Sequence, residues 1–327
     1  MVAISGSLKN NPDLKKLLFI LIALPLIGHA QWNWQLVNAH YGELPPSVEV
    51  YRTNDSIAGK PNIAYYVKAN LSDAILEFRS DTTYKRRFTP DQFYQKLSAP
   101  LVILNTSFFS FTTHQNLNMM MDQGKMTAYN FHTIPGKGKD TLKYRHPLVA
   151  TLGISPKGMA DVAWTFTDST KSVPWASQTP MPLILNESIR FTHREVMAPL
   201  EKWKMQTAVS GGPVLVQNGQ VQVTNNEEWK FAGKAIDDRH PRSAMGYTAD
   251  GQLILLVIEG RYPGKAEGAT LTQTAEMLAS LGCVEGLNLD GGGSSCMLVN
   301  GKETIQPSDK EGQRAVPGVF YIRRKKN

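Results

Sequence analysis

The residues of this chain that could do chemistry gather in two short stretches. The first, Leu287-Asn288-Leu289-Asp290-Gly291-Gly292-Gly293-Ser294-Ser295, sets a carboxyl, an amide and two hydroxyls around three consecutive glycines. Alternation along a strand over Leu287 to Asp290 sends Leu287 and Leu289 into a core and turns Asn288 and Asp290 to the other face. The glycines leave room for close backbone approach, and successive N–H groups in such a turn form a concavity that suits an anion. Ser294 and Ser295 add hydroxyl donors. A glycine run with capping serines is by itself also an ordinary turn, so the second stretch decides how the first is read. There, Asp237-Asp238-Arg239-His240-Pro241-Arg242-Ser243 packs five ionisable groups ahead of a strand, and Glu259-Gly260-Arg261 places an acid and a base at the end of the next. Elsewhere such charges form a solvated face or an ion-pair network. Here they stand where the apolar runs Tyr247–Thr248 and Leu253–Ile258 leave the core, and binding groups collect at such ends.

The elements that must carry these residues are mostly strands. Apolar or alternating runs predict them over Val48–Tyr51, Ile63–Ala69, Ala74–Phe78, Leu101–Leu104, Val162–Phe166, Val214–Gln217, Leu253–Ile258, Leu287–Leu289 and Val319–Ile322. Asn218-Gly219 signals a tight hairpin after Val214–Gln217, and Ser210-Gly211-Gly212-Pro213 a structural turn before it. Helices are few. Thr89-Pro90-Asp91-Gln92 starts one that runs to about Leu97, with proline at the first helical position. The clearest helix covers Leu271–Leu281: Thr270 and Gln273 form a capping box, Leu271, Ala275, Leu278 and Ala279 make one apolar stripe, and Gly282 ends it. Many strands, few helices and no strict alternation of the two give an α+β class, a mixed, strand-rich domain with a few helices packed on the sheet. Residues 130–147, with Pro135-Gly136-Lys137-Gly138-Lys139-Asp140, and residues 168–206, with four prolines, Trp175 and Trp203, read as loops walling a cleft. Both tryptophans and the Met119-Met120-Met121 triplet are first of all packing residues.

Composition narrows the class further. With 42% hydrophobic and 19% charged residues the chain is neither disordered, collagenous nor a coiled coil. The net charge of +7 carries little meaning once located: two net positive charges lie in residues 1–30 and four in the tail from Arg323 to Lys326, leaving one over residues 31–322. A nearly neutral body has no footprint for nucleic acid. Lys15 and Lys16 precede the apolar run Leu17–Ile27, and Gly28-His29-Ala30 follows it. That is the pattern of a signal peptide over residues 1–30, cleaved before Gln31, which predicts a periplasmic or secreted protein with no membrane anchor after cleavage. Only Cys283 and Cys296 are available for a disulfide; two small buried hydrophobes are the simpler reading.

In this order the stretches resemble the phosphodiester glycosidase family. The resemblance covers about residues 95–323. It rests on Asn105 with Phe108-Phe109, on Ser210-Gly211-Gly212-Pro213-Val214-Leu215 and Arg239-His240-Pro241-Arg242-Ser243, and on Val257-Ile258-Glu259-Gly260-Arg261 and the Asn288–Ser295 run. Two positions depart from the family's usual pattern: Thr106-Ser107 follows Asn105 where small residues including glycine are common, and Glu259 stands where aspartate is common. The resemblance implies a catalytic domain over 95–327, with 31–94 a strand-rich N-terminal segment that either joins the same domain or stands apart. It also implies hydrolysis of the anomeric C–O bond of a sugar-1-phosphodiester, releasing a phosphomonoester, in envelope, extracellular or exopolysaccharide-related glycan metabolism.

In that reaction Asp290 or Glu259 serves as nucleophile, base or stabiliser, His240 carries a proton, and Arg242 meets the phosphate. Asn105, Gly211, Gly212, Arg261, Asn288, Gly291, Gly292, Gly293, Ser294 and Ser295 line the substrate. The expected partner is a small-molecule or glycan phosphodiester. No cofactor is required; Asp290 and Glu259 with carbonyls could take Ca²⁺ or Mg²⁺, while zinc spacing is absent. A serine hydrolase is disfavoured because Gly293-Ser294-Ser295 lacks the nucleophile elbow. The competing readings are a non-catalytic phosphoglycan-binding protein and a phosphodiesterase that cuts P–O.

Overall fold

The computed structural model describes residues 32–131, 134–135, 144–145, 148–181, 193–228, 230–231 and 236–325. The predicted leader over residues 1–30 and the Pro135–Asp140 loop, apart from the strand residue Pro135, lie outside them. Within the described residues the chain is strand-rich with few helices, and three antiparallel sheets carry the site.

The eight-stranded sheet is organised around Gln252–Ile258, flanked by Ala64–Asn70 on one side and Arg242–Thr248 on the other. This strand is central because its sequence is apolar on both faces. Leu253, Leu255 and Val257 enter the main core, while Ile254, Leu256 and Ile258 enter a second core under the Leu271–Ser280 helix. Period-two alternation therefore serves two layers at once. The helix is capped as its sequence predicts. Thr270 Oγ1 accepts from Gln273 N and the Gln273 side chain accepts from Thr270 N, and Gly282 follows with φ +81°. Thr274 and Met277 widen the buried stripe, and Ala279 is only partly covered.

A five-stranded sheet runs Lys302–Glu303, Met297–Val299, Val102–Asn105, Gly318–Arg324 and Leu76–Thr82. A seven-stranded sheet is built on Val149–Ile154, Ala160–Phe166 and Thr207–Ser210. All three contribute to the main core: Leu152, Val162 and Val209 from one sheet and Val102, Leu104, Phe320 and Ile322 from another meet Val67, Met245 and Leu287. Residues 31–94 supply strands to two of the sheets. Val48–Thr53 and Ala64–Asn70 extend the eight-stranded sheet, and Leu76–Thr82 pairs with Gly318–Arg324.

The Met119–Met121 triplet is buried, with Met120–Asp122 a strand. Trp203 is buried, and its Nε1–H donates to Asp161 at 2.5 Å; Trp175 packs half-buried near Phe166. Asn218 and Gly219 both take positive φ in the hairpin turn after Val214–Gln217. Cys283 and Cys296 are free and buried in different clusters, one under the helix and one in the five-stranded sheet's outer core.

Candidate active site

The site forms where the chain crosses from one sheet to another. Cys283–Asn288 belongs to the eight-stranded sheet and Met297–Val299 to the five-stranded one, so residues 289–296 span the gap. The crossing is pinned on both banks: Leu289 N donates to Ser243 O at 2.8 Å and Asp290 N to Thr106 O at 2.7 Å. Antiparallel pairing brings the start of Arg242–Thr248 beside the ends of Gln252–Ile258 and Cys283–Asn288. Distant charged stretches thus meet because their strands are neighbours.

The strand stops at Asn288, two residues short of Asp290. Leu287 and Leu289 do both enter the main core, and Asn288 is buried, but Asp290 sits half-buried in the turn. Its carboxyl has a pKa pushed up to about 7, mainly by burial, with Ser294, Arg314 and the Gly291 N–H drawing it back down. A carboxyl that changes charge near neutrality is the most reactive group of the turn.

Several residues predicted to line the substrate make hydrogen bonds that hold the crossing. The Asn105 side chain is fully buried and staples the crossing: Nδ2 donates to Asp290 O at 2.6 Å, and Oδ1 accepts from Ser243 Oγ at 2.7 Å and Cys296 N at 3.1 Å. Asn288 Nδ2 donates to the carbonyls of Gly212 and Leu289. Gly211 and Gly212 give their N–H groups to Ala150 O and Asn288 O. A Cβ on Gly211 would strike Asn288 O, so glycine is needed there for close approach. Arg242 is buried, and Nε and Nη2 donate to Ala269 O and Asp238 O, both at 2.9 Å. Burial lowers its pKa to about 10. Its guanidinium is locked onto carbonyls and holds the wall of the site, although its Cα stands 3.8 Å from where a Gly291 Cβ would lie. The N–H concavity is also largely used up, since Gly292 N donates to Pro241 O, and Ser294 N and Ser295 N to Gly291 O and Gly292 O.

The charges that do flank the turn are Arg261 and Arg314. Arg261, exposed and at φ +69°, places Nη2 2.8 Å from a hypothetical Gly292 Cβ. The Arg314 guanidinium occupies the space a Gly293 side chain would need, and it pairs with Asp309 at 2.5 Å. Gly292 and Gly293 thus each leave room for a guanidinium, while a Cβ on Gly291 would lie 2.9 Å from Pro241 O. Sequence reasoning missed Arg314. The available signal was its place in a glycine-bearing loop just ahead of the final strand.

His240 bridges through its backbone to Ala269, and its buried Nδ1 has no partner. Burial, then Arg242 and Arg261, hold its pKa below the usual histidine value, so the ring is neutral at neutral pH. Thr106 Oγ1, Ser107 Oγ and Ser295 Oγ are likewise buried without a protein partner. Glu259 is buried and committed elsewhere, paired with Lys265 at 3.2 Å and accepting from Gln306 N at 2.9 Å. At the opposite margin Lys230 lies over the Phe108 ring, its pKa lowered to about 8 by burial. Among the described residues no group of three or more His, Cys, Asp or Glu side chains could hold a metal ion, and no helix is long and apolar enough to cross a membrane.

This strand-rich fold, with a carboxyl and two arginines at one glycine turn, has known relatives. The profile of the phosphodiester glycosidase family matches residues 100–323, and the chain belongs to that family. It is 29% identical over 126 residues to mouse N-acetylglucosamine-1-phosphodiester alpha-N-acetylglucosaminidase, a match covering 36% of this chain and 24% of the mouse protein. The catalytic domain of the zebrafish enzyme of that name, described as auto-inhibited by its pro-peptide, superposes with a TM-score of 0.56 at 18% identity. That match covers 90% of this chain and 88% of the zebrafish one. A hypothetical protein from Synechocystis superposes at TM-score 0.60 and 15% identity, covering 90% of this chain and 64% of the other.

Proposed function

We propose that this chain is an exported hydrolase that cleaves the anomeric C–O bond of a sugar-1-phosphodiester in envelope or extracellular glycan metabolism, releasing the free sugar and a phosphomonoester. One observation carries the reading: the Asp290 carboxyl, with a pKa near 7, shares its turn with the Arg261 and Arg314 guanidiniums. In the reaction water bonds to the anomeric carbon, and the C–O bond breaks with its electron pair going to the phosphate oxygen. Positive charge develops on the sugar and negative charge on the leaving group. A carboxylate beside the first and guanidiniums beside the second lower the barrier together. The phosphate leaves readily, so the ionised form of Asp290 is the useful one, and the neutral His240 imidazole is the group to take the proton of the attacking water. Arg242, Asn105, Asn288 and the Gly211-Gly212 pair hold these groups in place. The leader over residues 1–30 supports export to the periplasm or beyond.

The test is hydrolysis of a sugar phosphodiester in ¹⁸O-water. Label in the sugar is the expected result, and label in the phosphate would mean P–O cleavage. Asp290→Ala and Arg314→Ala are each expected to lower kcat/KM by about 10²-fold or more; full activity in both would remove the turn from the mechanism.

A further inference from the structure

Beyond the glycine turn lies a row of cations that the proposed chemistry leaves unused. Lys85, Arg86 and Arg87 follow the Leu76–Thr82 strand, and none is paired with a carboxylate among the described residues. Each instead lies over an aromatic ring, Lys85 over Tyr84, Arg86 over Phe88, and Arg87 over both Phe109 and Phe111. Phe111 is 61% exposed, unusual for so large an apolar side chain with cations beside it. The Arg314 guanidinium also stands 5.5 Å from the centre of the Phe111 ring, as far as that of Arg87. The two charges are therefore at most twice that distance apart, joined by one ring. Arg314 in turn touches Gly293 and acts electrostatically on Asp290. A continuous path thus runs from the reacting carboxyl through Arg314 and Phe111 to Arg87.

We infer that this path is the leaving-group side of the site, and that it takes an aglycone bearing at least one further phosphate beyond the scissile one. Arg314 meets the scissile phosphate, Arg87 the next anionic group, and Phe111 the less polar link between them. Guanidiniums suit phosphate because their planar donors bind two oxygens at once; Arg314 shares its charge with Asp309, while Arg87 has no carboxylate partner among the described residues. A single-charged aglycone would leave Arg87 without a role. The inference rests on the reaction proposed above for which side the sugar leaves from, but anion binding itself needs no turnover.

Calorimetric titration of the full chain with inorganic phosphate, pyrophosphate and tripolyphosphate reads the subsite directly. The expected result is at least tenfold tighter binding of the longer anions than of phosphate. Arg87→Ala is expected to erase most of that preference at an unchanged thermal midpoint, and Arg87→Lys to keep part of it. No preference in the natural chain, or equal weakening of phosphate and tripolyphosphate by Arg87→Ala, would overturn the inference. A nucleoside diphosphate distinguishes the source of the second phosphate. Binding tighter than pyrophosphate, and weakened by Phe111→Ala, marks a nucleotide; binding equal to pyrophosphate marks a phosphate-bearing glycan. Preference for long anions without hydrolysis of any sugar phosphodiester would refute the reaction and leave the subsite standing.

Discussion

At the scale of single residues, Asp290 carries both the proposed chemistry and a cost in stability. Its pKa is raised from 3.8 to about 7, so the folded protein holds this proton more tightly than the unfolded chain. Ionisation then opposes folding: the penalty is absent below about pH 4, grows between the two values and is complete above pH 7. Asp290→Asn removes it. The variant is expected to melt with the natural protein at pH 4 and above it at pH 8, by roughly 2–4 °C per kcal/mol relieved, while losing hydrolysis. If the proposed hydrolysis holds, kcat/KM of the natural chain should rise with pH through about 7; a falling profile would make the protonated acid the working form. Gly293→Ala separates site from fold. Its Cβ collides with the end of the Arg314 side chain and not with backbone, so Arg314 swings away. Activity is expected to fall about tenfold or more, with a nearly unchanged melting temperature. Asp290 was readable in the sequence because acid, glycines and serines are contiguous. The roles of Asn105 and Arg242 were not, since a buried amide or guanidinium bonded to carbonyls has the same letter as one that meets substrate.

At the scale of elements, the Leu271–Ser280 helix does more than cover a sheet. Its cap residue follows Ala269, whose carbonyl accepts from Arg242 Nε and whose N–H and C=O bridge His240. Thr270→Ala is expected to cost about 0.5–2 kcal/mol in denaturant unfolding, with a smaller loss of activity as the anchor for Arg242 frays. Stability unchanged in this variant would remove the cap from the account. This helix and the central Gln252–Ile258 strand were legible because cap, period and stop agree. Arg242–Thr248 and Val149–Ile154 were not read as full strands: one opens on an arginine and carries glycine, the other mixes threonine and glycine with its apolar residues. Their strand character comes from neighbours on both sides, which only tertiary structure supplies.

At the scale of the whole molecule, the family profile begins at residue 100, yet the fold does not. Ala64–Asn70 pairs along all seven residues with Gln252–Ile258, and Val48, Val50, Val67 and Phe78 belong to the main core. A fragment beginning at residue 95 exposes the edge of its central strand and loses one side of that core. It is expected to show no cooperative thermal unfolding by circular dichroism; a sharp transition would mean the earlier strands are an accessory. Sequence left this segment undecided because short strands reveal their own period but not their partner.

The two sulfurs record how the molecule opens. Cys283 and Cys296 are free and buried, and burial raises both thiol pKa values, which keeps them protonated and slow to alkylate. One lies beneath the helix and the other beneath the five-stranded sheet. Alkylation followed by peptide mass mapping would therefore time two separate breaches. Matching rates would show that the layers part as one, and unequal rates would reveal which seam yields first.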